Sequence, residues 1–412
     1  MDSPSEQKKL FNFTESKAYK EIYKERSILE IDYVPESLVG RDKQIQSIAE
    51  IYYPLGDKEK PKNTLIYGPP GSGKTVTIRH ILNRLCSELP DVNIRDIIIP
   101  CGEHNTIVKI LIFLIKGLGY EKDLPLRGVA SGFFYDLFYE LLRQKDYSLT
   151  LIFDEIDKIK DDSIIYNLIR AEEFKEVNGR QYIHIIGISN TDQFINSLGP
   201  IVASFFQPDT IVFPPYNEKQ IIDILNNRIP LAFCPNAINK KIIELCAQLA
   251  ADEGGDARRA ILLLQAAGDM AIKTECNRVQ SGHVPMAVDK INKDVSYRFV
   301  SNMSYGEKLV TLALIKTEKY LKPDKFVITG NVYKVYVDMC KKANIKPTSL
   351  GALSQKITKF NMMGILNATV TSRGRGGQTS EIIFINNPDF IEEAIYQDCK
   401  FVRYYNYVPN VK

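Results

Sequence analysis

Residues 64–75 read TLIYGPPGSGKT. An apolar run fit for a strand gives way to a glycine loop, and a helix begins near Thr75. The spacing is GxxxxGK[ST], the full Walker A pattern. Gly68 and Gly73, with Gly71 between them, let successive backbone N–H groups curl round phosphates at a helix N-terminus. Lys74 is placed to reach the β and γ oxygens, and the Thr75 hydroxyl to ligate Mg²⁺. The pattern predicts an ATP/ADP pocket formed by Gly68, Pro69, Pro70, Gly71, Ser72, Gly73, Lys74, Thr75 and Val76.

Three later segments supply groups that such a pocket needs. LTLIFDEIDKI (149–159) is an apolar run ending in Asp154 and Glu155. Strands buried on both faces read as continuous apolar runs, and ligand-facing groups lie at their carboxyl ends. Asp154 therefore suits the Mg²⁺ shell, and Glu155 is placed to polarise an attacking water. YIHIIGISN (182–190) ends in Asn190, an amide able to hold the water or the γ-phosphate; alone it would pass for a turn residue. EGGDARRAILLLQAAGDMA (253–271) opens a helix after a glycine pair, with Asp256 as N-cap and Arg258 in the first turn, where it could reach the γ-phosphate.

The rest of the composition narrows the class. At 412 residues, 44% hydrophobic and 25% charged, the chain has the make-up of an ordinary globular protein of two or three domains. No stretch approaches the roughly 20 apolar residues needed to span a bilayer. The start, MDSPSEQKKLFNF, lacks the apolar stretch of a secretory signal, so an intracellular place is expected. Seven cysteines without a CxxC pair, and four histidines without metal-type spacing, predict reduced structural thiols and no histidine-bound metal.

Charge is unevenly spread. From Ser296 onward there are 17 Lys and Arg against 9 Asp and Glu, although the whole chain carries only +3. Between Met339 and Ser380 lie seven basic residues and no acid, the electrostatic footprint of a polyanion-binding surface. The tail reads as three helices (GEKLVTLALIKTEKY, NVYKVYVDMCKKAN, TSLGALSQKITKF) and a hairpin, ILNATV and EIIFI flanking TSRGRGGQTS. That order is a winged helix-turn-helix. Leu350, Leu353, Ile357 and Phe360 recur at three and four and are expected to face the core, leaving Gln355, Lys356 and Lys359 outward for a DNA major groove. The loop is then the wing, with Arg373 and Arg375 directed at the minor groove.

The segments SILEIDYVPESLVGRDKQIQSIAEIYYPL, GISN, IVFPPYNEKQIIDILNNRIPLAF and GGDARRAILLLQAAGDMA resemble the archaeal origin-recognition and replication-initiator AAA+ family, relatives of the largest origin-recognition subunit and of the helicase-loading factor. The likeness runs from about Leu29 to the carboxyl terminus. It implies an α/β fold: a parallel-sheet P-loop AAA+ domain with a helical lid and a C-terminal winged-helix domain. The implied division is an N-terminal tail (1–30), a nucleotide-binding domain (31–216) with a helical insert within 102–143, a lid (217–295) and the winged helix (296–412). In this likeness Asp154 and Glu155 are Walker B, Asn190 sensor 1 and Arg258 sensor 2. The insert touches DNA in relatives, which offers Lys122 and Arg127 as further contacts.

The implied function is a cytoplasmic, nucleoid-associated initiator that binds duplex DNA at a replication origin and uses ATP/ADP and Mg²⁺ as a slow switch. Its implied partners are paralogous initiator subunits and the replicative helicase, with no membrane. A non-catalytic DNA-binding regulator and an AAA+ remodelling motor are the alternatives. One departure from the family pattern lies after sensor 1. Where the family carries an arginine and a lysine, this chain reads LGPIVASFF (198–206), with Ile201 and Ala203 at those positions and no arginine between Arg180 and Arg228.

Overall fold

A computed structural model describes residues 17–57, 59–88, 94–145, 147–171, 182–321, 326–372, 378–385 and 387–409. It divides into two compact units between Val284 and Pro285.

The first unit is built on five parallel strands, β1 (Thr64–Tyr67), β2 (Ile94–Pro100), β3 (Ser148–Asp154), β4 (Ile183–Ser189) and β5 (Asp209–Val212), in the order β2-β3-β4-β1-β5. Every residue of β4, and of β3 up to Phe153, is buried. Their largely apolar sequences reflect cover on both faces. Helices Asp42–Tyr52 and Lys74–Glu88 supply one layer, through Ile48, Tyr52, Ile78, Ile81 and Leu82. Helices Ile107–Gly117, Ser131–Arg143, Ser163–Ile169 and Pro200–Phe206 supply the other. Register brings the carboxyl ends of β1, β3 and β4 level, with Tyr67 beside Ser189 and Asp154 beside Ile188. Chain order reverses here, the place where open parallel sheets bind ligands.

The segment expected to hold a helical insert, 102–143, contains two helices that are part of the main core. Ile110, Leu114, Phe134, Phe138 and Leu142 are wholly buried there. The connection between the two helices is exposed and carries Lys122 and Arg127.

Helices Glu218–Ala232, Lys240–Asp252 and Ala257–Lys273 follow β5. The first opens with a capping box, Asn217 and Gln220 each bonding the other's backbone N–H at 2.9 and 3.0 Å. The N-terminal segment is fastened to this helical layer. Tyr23 donates to Gln265 O at 2.7 Å, Arg26 pairs with Asp269 at 3.0 Å, and Arg228 donates to Ile28 O at 2.6 Å.

In the second unit, helices Tyr305–Tyr320, Thr329–Lys342 and Leu350–Met362 pack with an antiparallel sheet of β6 (Val327–Ile328), β7 (Leu366–Ser372) and β8 (Gln378–Phe384), ordered β6-β8-β7. The three helices and the hairpin stand where the sequence puts them. One expected core position does not: Leu350 is 45% exposed, because it is the first residue of its helix and lies beyond the cluster that buries Leu353, Ile357 and Phe360. Two elements that the periodicity did not show complete this core. Helix Pro388–Tyr396 and the turn Cys399–Tyr404 bury Ile391, Ile395, Phe401 and Tyr404.

Truncation should separate core from surface on a single helix. Phe138→Ala is expected to cost about 3–5 kcal/mol and the half-exposed Phe133→Ala much less, measured by denaturant unfolding of the full chain.

Candidate functional site

The loop after β1 folds back on itself, with Gly71 at φ +70° and Gly73 at φ +87°, left-handed conformations that favour glycine. The space is as restrictive as the angle. A Cβ on Gly71 would lie 1.7 Å from the Asp256 carboxylate, and one on Gly73 would lie 2.6 Å from the Tyr216 hydroxyl. Lys74, at the start of the helix Lys74–Glu88, is 5% exposed. Its ammonium donates to three neutral oxygens: Gly68 O at 2.7 Å, Pro69 O at 2.9 Å and Asn190 Oδ1 at 3.0 Å. A cation hydrogen-bonded to neutral oxygens beside a helix N-terminus is a ready partner for an anion. Burial, and then the like charge of Arg258, push this ammonium down to about 8.

Thr75 Oγ1 donates to the Asp154 carboxylate at 3.1 and 3.3 Å. The two residues, from adjacent elements, offer one hydroxyl and one carboxylate to a divalent cation. That donor set fits Mg²⁺, which takes one or two protein groups and completes its shell with phosphate and water. No group of three His, Cys, Asp or Glu side chains among the described residues forms a protein-only metal cage. Glu155 follows in the left-handed region (φ 57°, ψ 49°), exposed, with its carboxylate against Gly102. A non-glycine residue held so at a strand end is a form of strain often found at active sites.

The helical layer closes the pocket. Asp256 caps the helix Ala257–Lys273 by accepting from Arg258 N at 2.8 Å, and Ala257 N donates to Gly71 O at 3.4 Å. A second helix N-terminus thus abuts the phosphate loop. Arg258, exposed, lines a cavity of about 300 Å³ together with Gly73, Thr75, Val76 and Asp154. Of the five residues expected to do chemistry, Lys74 and Asn190 meet at the loop, Asp154 meets Thr75 and Arg258 lines the cavity beside Gly71 and Gly73, while Glu155 follows Asp154 with its carboxylate towards Gly102. The sequence reading missed the opposite wall of the cavity, formed by Leu29–Pro35 and Ser37–Val39, and it missed Tyr216 and Arg41. Those residues have no motif spacing; only the packing brings them there.

In the second unit Gln355 is exposed on the helix Leu350–Met362. Lys359 is ion-paired with Glu307 at 2.5 Å, and that contact, with the Ser304 cap, holds the Glu307 carboxyl down at about 2. Lys356 reaches back so far that a Cβ on Gly306 would lie 2.9 Å from its ammonium. Arg373 and Arg375, at the wing tip, lie outside the described residues. Ile201, at the position of the family arginine, is 63% exposed on the helix Pro200–Phe206, with Ala203 half-buried on the same helix.

Among curated proteins, the ORC1-type DNA replication protein 1 of Sulfurisphaera tokodaii is 35% identical over 377 residues, covering 91% of this chain and 93% of that one. The chain belongs to the ORC1-type DNA replication protein family. The ORC1-type protein of Pyrococcus abyssi is similar at 33% identity, over 88% of this chain and 87% of its own. The AAA ATPase domain family matches residues 37–174, the Cdc6 AAA+ ATPase-type lid domain 222–289, and the CDC6 C-terminal winged helix domain 299–394. Among solved structures, the Aeropyrum pernix ORC1 protein in complex with DNA superposes with a TM-score of 0.83 at 30% identity, covering 93% of this chain and 99% of that one. This ORC1-type chain therefore carries a nucleotide-binding AAA+ ATPase domain, a lid and a winged helix. No described helix is long and apolar enough to cross a membrane.

The depressed Lys74 ammonium has a measurable sign. Bound polyphosphate favours the charged form, so above about pH 8 the nucleotide complex holds more protons than the free chain. Nucleotide binding should take up protons, and affinity should fall by up to about tenfold per pH unit as pH rises further. Calorimetric titration in two buffers of different ionisation enthalpy, at about pH 9, reads the uptake, and Lys74→Arg should abolish it.

Proposed function

We propose that this chain is an origin-binding DNA replication initiator that uses ATP and ADP as a slow conformational switch. The observation that carries the reading is the convergence of Lys74, Thr75, Asp154 and Asn190 on one loop that the lid helix also touches, in a chain that ends in a winged helix. Lys74 holds phosphate, and Thr75 and Asp154 hold Mg²⁺. Glu155 polarises the attacking water, Asn190 orients it, and Arg258 reports the γ-phosphate to the lid. Mg²⁺, when bound, neutralises charge on the β and γ oxygens.

Duplex DNA is engaged by the second unit through Gln355, Lys356 and Lys359 and through the wing arginines Arg373 and Arg375, with Lys122 and Arg127 as secondary contacts. The Aeropyrum protein's DNA complex and the acid-free basic stretch support this. Lys359 must exchange Glu307 for phosphate to take part. The proposed domains are those of the family likeness: 1–30, 31–216, 217–295 and 296–412. Paralogous subunits, the replicative helicase and a cytoplasmic, nucleoid-associated location belong to the same proposal.

The apolar Ile201 favours a slow switch over a motor. An arginine supplied in trans is worth roughly three to five orders of magnitude in rate where it operates in GTPases, and isoleucine cannot supply that charge. Specific ATPase activity is therefore expected to stay flat as protein concentration rises, and a steep climb would overturn the slow-switch reading. Glu155→Gln should retain ATP while hydrolysis stops, read by filter binding and phosphate release. Changing Arg373 and Arg375 together to Ala should weaken duplex binding and lower the log-log salt slope by about 0.9 for each phosphate that is no longer neutralised. An unchanged slope removes the wing from the interface.

A further inference from the structure

Arg41 is 1% exposed, the largest of the wholly buried side chains, and the proposed function leaves it without a role. Its guanidinium meets no carboxylate within ion-pair distance among the described residues. It donates instead to three carbonyl oxygens: Nε to Ser72 O at 2.9 Å, Nη1 to Gly40 O at 3.2 Å and Nη2 to Pro214 O at 2.7 Å. The Tyr216 ring lies 3.7 Å from it and the Phe213 ring 5.5 Å. Dipoles and ring faces offset part of the cost of burying a cation, but a charge without a counter-ion stays expensive.

The placement suggests where the missing anion comes from. Ser72 O belongs to the peptide that also carries the Gly73 N–H, and a cation on the carbonyl polarises that peptide and strengthens the N–H as a donor. Tyr216 sets its hydroxyl over Gly73, where a Cβ would lie 2.6 Å away. Its backbone N–H donates to Gly255 O at 3.2 Å, one residue before the Asp256 cap of the lid helix. One guanidinium therefore joins the phosphate loop to the linker that leads into the lid.

We infer that Arg41 is a positioning residue of the nucleotide pocket, which fixes the Ser72–Gly73 peptide for a nucleoside di- or triphosphate, takes the polyphosphate as its counter-ion, and ties the loop to the lid through Pro214 and Tyr216. This rests on the reading of the loop as a nucleotide site. The test compares the full chain with Arg41→Gln and Arg41→Lys by ADP titration, thermal melting with and without ADP, and amide hydrogen exchange over residues 255–262. Loss of charge-assisted hydrogen bonds should weaken ADP binding in Arg41→Gln by roughly tenfold to a hundredfold, with a smaller loss in Arg41→Lys. ADP should slow exchange at the lid helix start in the parent and not in Arg41→Gln. A variant that melts lower without nucleotide but binds ADP with parental affinity and parental protection would overturn the inference and leave Arg41 a structural residue. If Arg41→Gln does not fold, Arg41→Lys decides, with parental affinity and protection again the overturning result. A parent that binds no ADP would defeat the nucleotide reading itself, and this inference with it.

Discussion

The ammonium of Lys74, enclosed by Gly68 O, Pro69 O and the Asn190 amide, is the contact on which the first unit turns. It gathers the end of β1, the head of a helix and the end of β4 round a buried positive charge whose hydrogen bonds, among the described residues, all go to neutral oxygens. Such a centre can exist only where a sheet stacks its strand ends level and excludes water from one side. The buried apolar faces of β3 and β4 provide that floor, and the dipole of the helix Lys74–Glu88 adds to the positive field. An anion that enters this field meets donors already fixed in place, so little ordering remains to be done on binding.

The lid is coupled to that centre by backbone as much as by side chain. Gly71 O receives Ala257 N, Gly255 O receives Tyr216 N, and the Asp256 carboxylate occupies the space that a side chain on Gly71 would need. A change in loop geometry is therefore felt directly at the start of the helix Ala257–Lys273. The N-terminal segment closes the other side, held to the helical layer by Tyr23, Arg26 and the Ile28 carbonyl. A nucleotide in the cavity would be walled by elements far apart in sequence.

The second unit shows a different balance. Its core is closed by the C-terminal helix and turn, while its basic residues are partly committed inside the unit. Lys359 is paired with Glu307, and Lys342 lies over the Tyr407 ring at 4.4 Å. Net charge alone thus overstates the free cationic surface, because an ion pair must open before its lysine reaches phosphate. Glu307 is only 13% exposed in its pair, so releasing Lys359 to phosphate gives up the contact that holds that carboxyl down.

Motif residues whose spacing is local were fully legible in the sequence. GxxxxGK[ST] needs only consecutive residues, and the apolar runs ending in Asp154 and Asn190 announced strands covered on both faces with polar groups at their ends. The helices and hairpin of the tail followed from periodicity, apart from Leu350, where a stripe read from spacing ran one turn past the core that it serves. What the sequence could not show is contact without spacing. Arg41 looks like a surface arginine before a helix, Tyr216 like a linker tyrosine and Leu29–Val39 like an approach to the domain. Only the packing of β5, the lid and the phosphate loop puts a buried guanidinium behind Ser72 and a wall opposite Val76. The sequence by itself determined which groups could bind phosphate, since that chemistry lies within a few consecutive residues; the tertiary structure alone decided which distant carbonyls and rings hold those groups in place, because burial and hydrogen bonding depend on what surrounds a residue in space.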